Sequence, residues 1–196
     1  MINVPNAITI GRVILALGTV ALCFSRQDNV LWMAFGLTIV VIWADALDGY
    51  FARKLNQATK LGGVLDIAGD RVVELTYWIV YAVLNWVPVW IPLLFLVRGN
   101  FVDAIRAQAS EQGYTAFGSK TMMQSAVGKF IVSSNFMRFS YAVVKAVAFC
   151  LLIAGNTSQG KVTIVPTVAI YCAYIAAAIC LLRGVPVLVE ARGILK

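Results

Sequence analysis

Long apolar runs constrain this chain more than any other feature. Val13 to Ser25, Val30 to Ala44, Leu75 to Val97, Ala146 to Gln159 and Val162 to Leu182 contain no Asp, Glu, Lys or Arg. Several approach the roughly 20 residues that a helix needs to cross a bilayer. With 61% of 196 residues hydrophobic and 13% charged, a water-soluble fold could not cover that much apolar surface. The runs predict an all-α, polytopic membrane protein. The first apolar stretch lacks a basic leading segment and an A-x-A site, and further spans follow it, so it reads as a transmembrane helix rather than a cleaved signal.

Hydropathy and breakers predict six transmembrane helices: Ala7 to Phe24, Val30 to Lys54, Gly62 to Asn85, Val89 to Gln112, Val127 to Ala154 and Val162 to Arg183. No internal repeat or extramembrane domain interrupts them, so residues 1–196 read as a single transmembrane domain. The connections Arg26 to Asn29, Trp86 to Pro88 and Gly155 to Lys161 are nearly uncharged, whereas Arg53, Lys54, Lys60, Arg106, Lys120, Lys129, Arg183, Arg192 and Lys196 gather at the other ends. The excess of Lys and Arg on cytoplasmic loops places both termini in the cytoplasm. Trp32, Trp86 and Trp90 sit at the poorly charged ends, where an aromatic belt anchors the outer interface. The net charge of +7 follows from this asymmetry and says little about substrate charge; no nucleic-acid partner is expected.

Histidine is absent, which excludes His-dependent triads, His-ligated zinc and His general bases. Cys23, Cys150, Cys172 and Cys180 all lie in apolar runs without metal-ligand spacing and read as core or lipid-facing residues.

The anomaly is acidic. Of nine acidic residues, Asp45, Asp48, Asp66, Asp70 and Glu74 fall within thirty positions, on helices expected in the membrane. An ionised Asp at the centre of a spanning helix costs roughly 2.5 to 3.5 kcal/mol, so something positive must sit among them. Asp45, Asp48, Gly49, Ala52 and Arg53 share one helical face, and Gly62, Asp66, Asp70 and Glu74 share another. The short connection makes the two helices antiparallel neighbours. Asp45 then lies about 13 Å inward from Lys54, at 1.5 Å per residue, within reach of water and nucleotides. All-oxygen ligation without His or Cys selects a hard divalent ion, Mg²⁺ or Mn²⁺, and four carboxylates balance two such ions. Paired metals suit in-line displacement at phosphorus. Two other readings stay open: an ion-pair network in which Arg53, Lys54, Lys60 and Arg71 neutralise the acids, and an ion pathway of the kind intramembrane acids mark in carriers.

The run Asp45-x-x-Asp48-Gly49-x-x-Ala52-Arg53, eight residues, Gly62-x-x-x-Asp66-x-x-x-Asp70 resembles the signature of the CDP-alcohol phosphotransferase family at all eight specified positions. The resemblance covers residues 45–70, and the six-helix pattern outside them is similar to the family's transmembrane plan. It implies that Asp45, Asp48, Asp66 and Asp70 hold two Mg²⁺ or Mn²⁺ ions and that Asp70 also takes the proton from the acceptor hydroxyl. It further implies that Gly49, with Ala52 and Gly62, makes room for the CDP donor and that Arg53 binds its pyrophosphate, a task suited to a permanently charged fork. Thr59 matches a small hydroxyl position of some members. Asn6-x-x-Thr9 resembles a donor-contacting segment, although a helix cap explains it equally well. A homodimer is likewise implied by resemblance alone.

A site in the membrane favours a CDP-linked lipid donor, CDP-diacylglycerol or an archaeal ether counterpart, and a small phosphorylated alcohol as acceptor. Arg98, Arg106, Lys120, Lys129 and Arg138 are the candidate acceptor-phosphate residues. The stretch around Arg106 and Gly128-Lys129 resembles the glycerol-phosphate users of the family, the phosphatidylglycerophosphate synthases. Asp70-Arg71 and Ile105 to Gly113 resemble inositol-phosphate users, though Gln108 stands where those place a second arginine. The expected setting is a multi-pass protein of the cell membrane with its active site toward the cytoplasm. A cation-coupled carrier or an idle scaffold is the reading from a different class.

Overall fold

The computed structural model of the chain describes residues 4–54, 59–114 and 121–194; the side chains of Pro5, residues 46–53, Lys60 and residues 192–194 lie outside that description. Every long element is helical: α1 Val4–Leu22, α2 Asp28–Lys54, α3 Lys60–Val83, α4 Trp90–Glu111, the short α5 Ala126–Gly128, a π-helical turn Lys129–Ser133, α6 Asn135–Ala154, the short α7 Ser158–Lys161 and α8 Val165–Ile194. Asp28–Asp45, Asn135–Ala154 and Val165–Ala191 are long and apolar enough to cross a membrane, and Asn6–Leu22 is a shorter apolar helix. α3 and α4 are of comparable length but carry the charged residues from Asp66 to Glu74 and from Arg98 to Glu111. Trp43, Phe136 and Phe139 are each about 70% exposed, a surface suited to lipid rather than water.

Two helices depart from the expected pattern. The continuous helix over Val127 to Ala154 is broken, because Ser134 adopts an extended backbone (φ −67°, ψ 139°) between the π-helical turn and α6. Its hydroxyl accepts the Met137 N–H at 3.2 Å, so the polar Ser134 starts a new helix inside an apolar stretch. The last helix runs on past Arg183 to Ile194 with Pro186 inside it. A proline removes one helical hydrogen bond but does not end a helix whose neighbours hold it in place.

One compact unit comprises Met1–Val89 and Ala146–Ile170, the other Trp90–Lys145 and Tyr171–Lys196. In the first, α1 packs against both α2 and α3. Its aromatic core is tied by hydrogen bonds: the Tyr77 hydroxyl reaches Thr38 Oγ1 at 3.1 Å, the Tyr81 hydroxyl donates to the Phe149 carbonyl at 2.9 Å, and Tyr77 stacks on Phe149 with centroids 4.8 Å apart. These contacts join α2, α3 and the end of α6 into one support for the carboxylate-bearing segments. Buried hydroxyls in an apolar surround need such partners. In the second unit, Val102, Ala109, Met122, Met123, Val132, Val187 and Ala191 form a separate apolar core.

Candidate active site

Carboxylate oxygens of Asp45, Asp66 and Asp70 lie within 4.8 Å of one another, and all three residues are exposed. α2 supplies the first and α3 the other two, one helical turn apart. Asp48, Gly49, Ala52 and Arg53 follow on α2, and their side chains lie outside the described ones.

The positive charge that the acids require comes from an unexpected helix. Arg12 of α1 is 96% buried; its guanidinium forms an ion pair with Asp45 and donates to Asp70 Oδ1 at 2.6 Å. One planar fork with two outer nitrogens thus bridges acids from two helices, a geometry that a lysine cannot match. Arg71 pairs with Glu74 on its own helix at 2.8 Å. Arg12 is thus a partner of Asp45 and Asp70 that the expected network of Arg53, Lys54, Lys60 and Arg71 did not include; the side chains of Arg53 and Lys60 lie outside the described ones.

Close approach of α1 to α3 makes this contact available. A Cβ on residue 62 would stand 2.8 Å from Asn6 Oδ1 and 3.0 Å from Thr59 Oγ1, and one on residue 69 would stand 3.0 Å from Thr9 Cγ2. Gly62 and Gly69 are thus the surface on which the buried Asn6 and Thr9 rest. The Thr59 hydroxyl caps α3 by accepting the Gly62 N–H at 2.9 Å. Asn6, Thr9, Thr59 and Gly62, expected near the donor, are gathered on the same α1–α3 seam that carries Arg12 and Asp70.

The candidate acceptor residues occupy the other unit. Arg98 is buried on α4, packed against Gly184, where a Cβ would meet its Cγ at 2.9 Å, and its Nε has no hydrogen-bond partner among the described residues. Arg106 is half-buried, Arg138 and Lys129 are exposed, and Lys120 lies outside the described residues. Lys129 lines a cavity of about 300 Å³ with Gln112, Tyr114, Thr121 and Gln124. Glu190 of α8 accepts the backbone N–H groups of Gln124 and Ser125 and the Ser125 hydroxyl, which fixes the start of α5 and the π-helical turn that bears Lys129. Arg183, not expected as a site residue, is buried on α8 and donates to the carbonyls of Met137 at 3.3 Å and Val132 at 3.2 Å. It braces that turn against α6. A lone arginine following an apolar run was the only sequence sign of it.

A family model described as CDP-alcohol phosphatidyltransferase matches residues 2–191. The chain belongs to that family. Relatives include a CDP-diacylglycerol–glycerol-3-phosphate 3-phosphatidyltransferase of Aquifex aeolicus, 41% identical over 36% of this chain and 38% of that protein. A protein of Mycobacterium tuberculosis provisionally named cardiolipin synthase is 35% identical over 67% of this chain and 62% of its own length. A second CDP-diacylglycerol–glycerol-3-phosphate 3-phosphatidyltransferase, from Pseudomonas fluorescens, is 31% identical over 79% and 84%. The chain thus spans less than two thirds of the length of the first two. The acidic group on α2 and α3 offers oxygen donors alone, a set that fits hard divalent ions.

Proposed function

We propose that the protein transfers a phosphatidyl group from a CDP-linked lipid, CDP-diacylglycerol or an archaeal ether counterpart, to a hydroxyl of glycerol 3-phosphate and releases CMP. The observation that carries this reading is the convergence of Asp45, Asp66 and Asp70 in a chain matched to the family over nearly its whole length. The names of two relatives favour glycerol 3-phosphate as acceptor. Against an inositol-phosphate acceptor stands Gln108, which hydrogen-bonds Glu111 at 3.0 Å where a second arginine would be needed. The cardiolipin synthase relative keeps a lipid-borne glycerol hydroxyl as a second acceptor class.

Asp45, Asp48, Asp66 and Asp70 would hold two Mg²⁺ or Mn²⁺ ions, which supply charge neutralisation at the donor pyrophosphate. Asp70 accepts the proton of the acceptor hydroxyl, whose oxygen forms a bond to the phosphorus nearer the lipid as the bond from that phosphorus to CMP breaks. Arg12 holds Asp70 through Oδ1 and so orients its other oxygen for this proton. Arg53 binds the pyrophosphate, with Gly49, Ala52, Thr59, Gly62, Asn6 and Thr9 shaping the donor site. Arg98, Arg106, Lys120, Lys129 and Arg138 receive the acceptor phosphate. Residues 1–196 act as one transmembrane catalytic domain with six spans, both termini and the active site at the cytoplasmic face of the cell membrane, as a homodimer.

The test is CMP release by detergent-solubilised protein given CDP-diacylglycerol, Mg²⁺ or Mn²⁺ and a panel of glycerol 3-phosphate, inositol phosphate and phosphatidylglycerol. Release that depends on glycerol 3-phosphate is the expected result. Absence of CMP with every acceptor would favour a cation-coupled carrier or a scaffold instead.

A further inference from the structure

A cavity of about 590 Å³ in the first unit lies at the end of α2 opposite the carboxylates. Asp28, in its wall, is seventeen residues before Asp45 on α2, hence about 25 Å away along the helix. Its apolar walls include Cys23, Leu31, Leu84 and Trp86; its polar lining includes Arg26, Asp28 and Lys161. Arg26 and Lys161 come from connections separated by most of the chain, and they are the only cations of the poorly charged loops. Neither forms an ion pair among the described residues. Asp28, the acid beside them, already accepts the Ser158 N–H at 2.9 Å and the Ser158 hydroxyl at 3.1 Å through Oδ1. The cavity therefore carries two cations against one anion, at an end where loop charge is otherwise sparse.

We infer that this cavity binds the headgroup of an anionic phospholipid, its phosphate diester held between Arg26 and Lys161. The chemistry shared with free phosphate is a charge-assisted contact to two cations. Two features select the lipid. Apolar walls offer nothing to a free ion, and acyl chains can lie on Phe24, a lining residue 54% exposed, and on Val162 and Ile164, which follow the lining Lys161 in sequence and are 85% and 73% exposed. Trp86 in the wall, stacked on Tyr81 at 5.3 Å, is the kind of amphipathic ring that sits at headgroup depth. A zwitterionic headgroup brings its own cation and gains less from the surplus positive charge.

Native mass spectrometry of the full chain in detergent tests this with dioleoylphosphatidylglycerol, dioleoylphosphatidylcholine and inorganic phosphate as probes. The wild type is expected to retain one more phosphatidylglycerol than the Arg26→Gln/Lys161→Gln double variant, whose affinity for that lipid falls at least fivefold. Phosphatidylcholine retention should be equal in the two proteins, and the charge-preserving Arg26→Lys/Lys161→Arg variant should keep the adduct. An unchanged lipid-free melting temperature checks that the double variant is folded. Equal phosphatidylglycerol retention in wild type and double variant overturns the proposal. So does displacement of the lipid by millimolar inorganic phosphate, or loss of the adduct in the charge-preserving variant.

Discussion

At the residue scale the site rests on a balance between three exposed carboxylates and one buried guanidinium. If Asp70 is the base, Asp70→Asn keeps its shape and removes its proton acceptor, and turnover should fall by roughly 10² to 10⁴ with the melting temperature preserved; steady-state CMP release checks this. Arg12→Gln leaves Asp45 and Asp70 to repel each other. Because both acids are about half exposed, solvent limits the cost to about 1 kcal/mol, a fall in melting temperature of roughly 2 to 4 °C in EDTA. Added Mn²⁺ should recover more of the melting temperature in the variant than it adds to the wild type, and calorimetry with and without metal measures both. The acids were legible in the sequence because their spacing is the period of a helix, which puts them on one face before any fold is known. Arg12 was not, because its partners lie 33 and 58 positions away and only the packing of α1 on α2 and α3 unites them.

At the element scale the seam between α1 and α3 decides whether Arg12 arrives. Gly69→Val would drive a side chain into Thr9 and Val13, an overpacking that costs about 1 to 3 kcal/mol. Lower thermal stability and lower activity are expected together, whereas Gly11→Ala, which meets nothing within 4 Å, should change neither. Helix existence was readable from apolar runs, yet two helix ends were not. The break at Ser134 lies inside a stretch apolar on both sides, and only Ser133-Ser134-Asn135 hints at it. Pro186 and Gly184 look like a stop, but Gly184 packs against Arg98 and α8 continues. That contact gives Arg98 its own expectation: Arg98→Gln should raise KM for the acceptor phosphate at least tenfold while leaving KM for CDP-diacylglycerol near its wild-type value. Equal rises in both would remove Arg98 from acceptor binding.

At the scale of the whole molecule, two arrangements of charge coexist along the same helices: an acidic group near one end of α2 and a sparse cationic cavity at the other. The loop charges predict cytoplasmic termini, and single-cysteine labelling at residue 2 and at residue 159 should react from opposite sides of sealed vesicles. The proposed function gives the acidic group its role, and its all-oxygen donors suit hard divalent ions. Mn²⁺ binding to the purified protein, counted by electron paramagnetic resonance, tests that link without depending on any acceptor. The account predicts two Mn²⁺ per chain, reduced by Asp45→Asn and by Asp66→Asn; Mn²⁺ binding that is absent from the wild type, or unaltered in both variants, would contradict it.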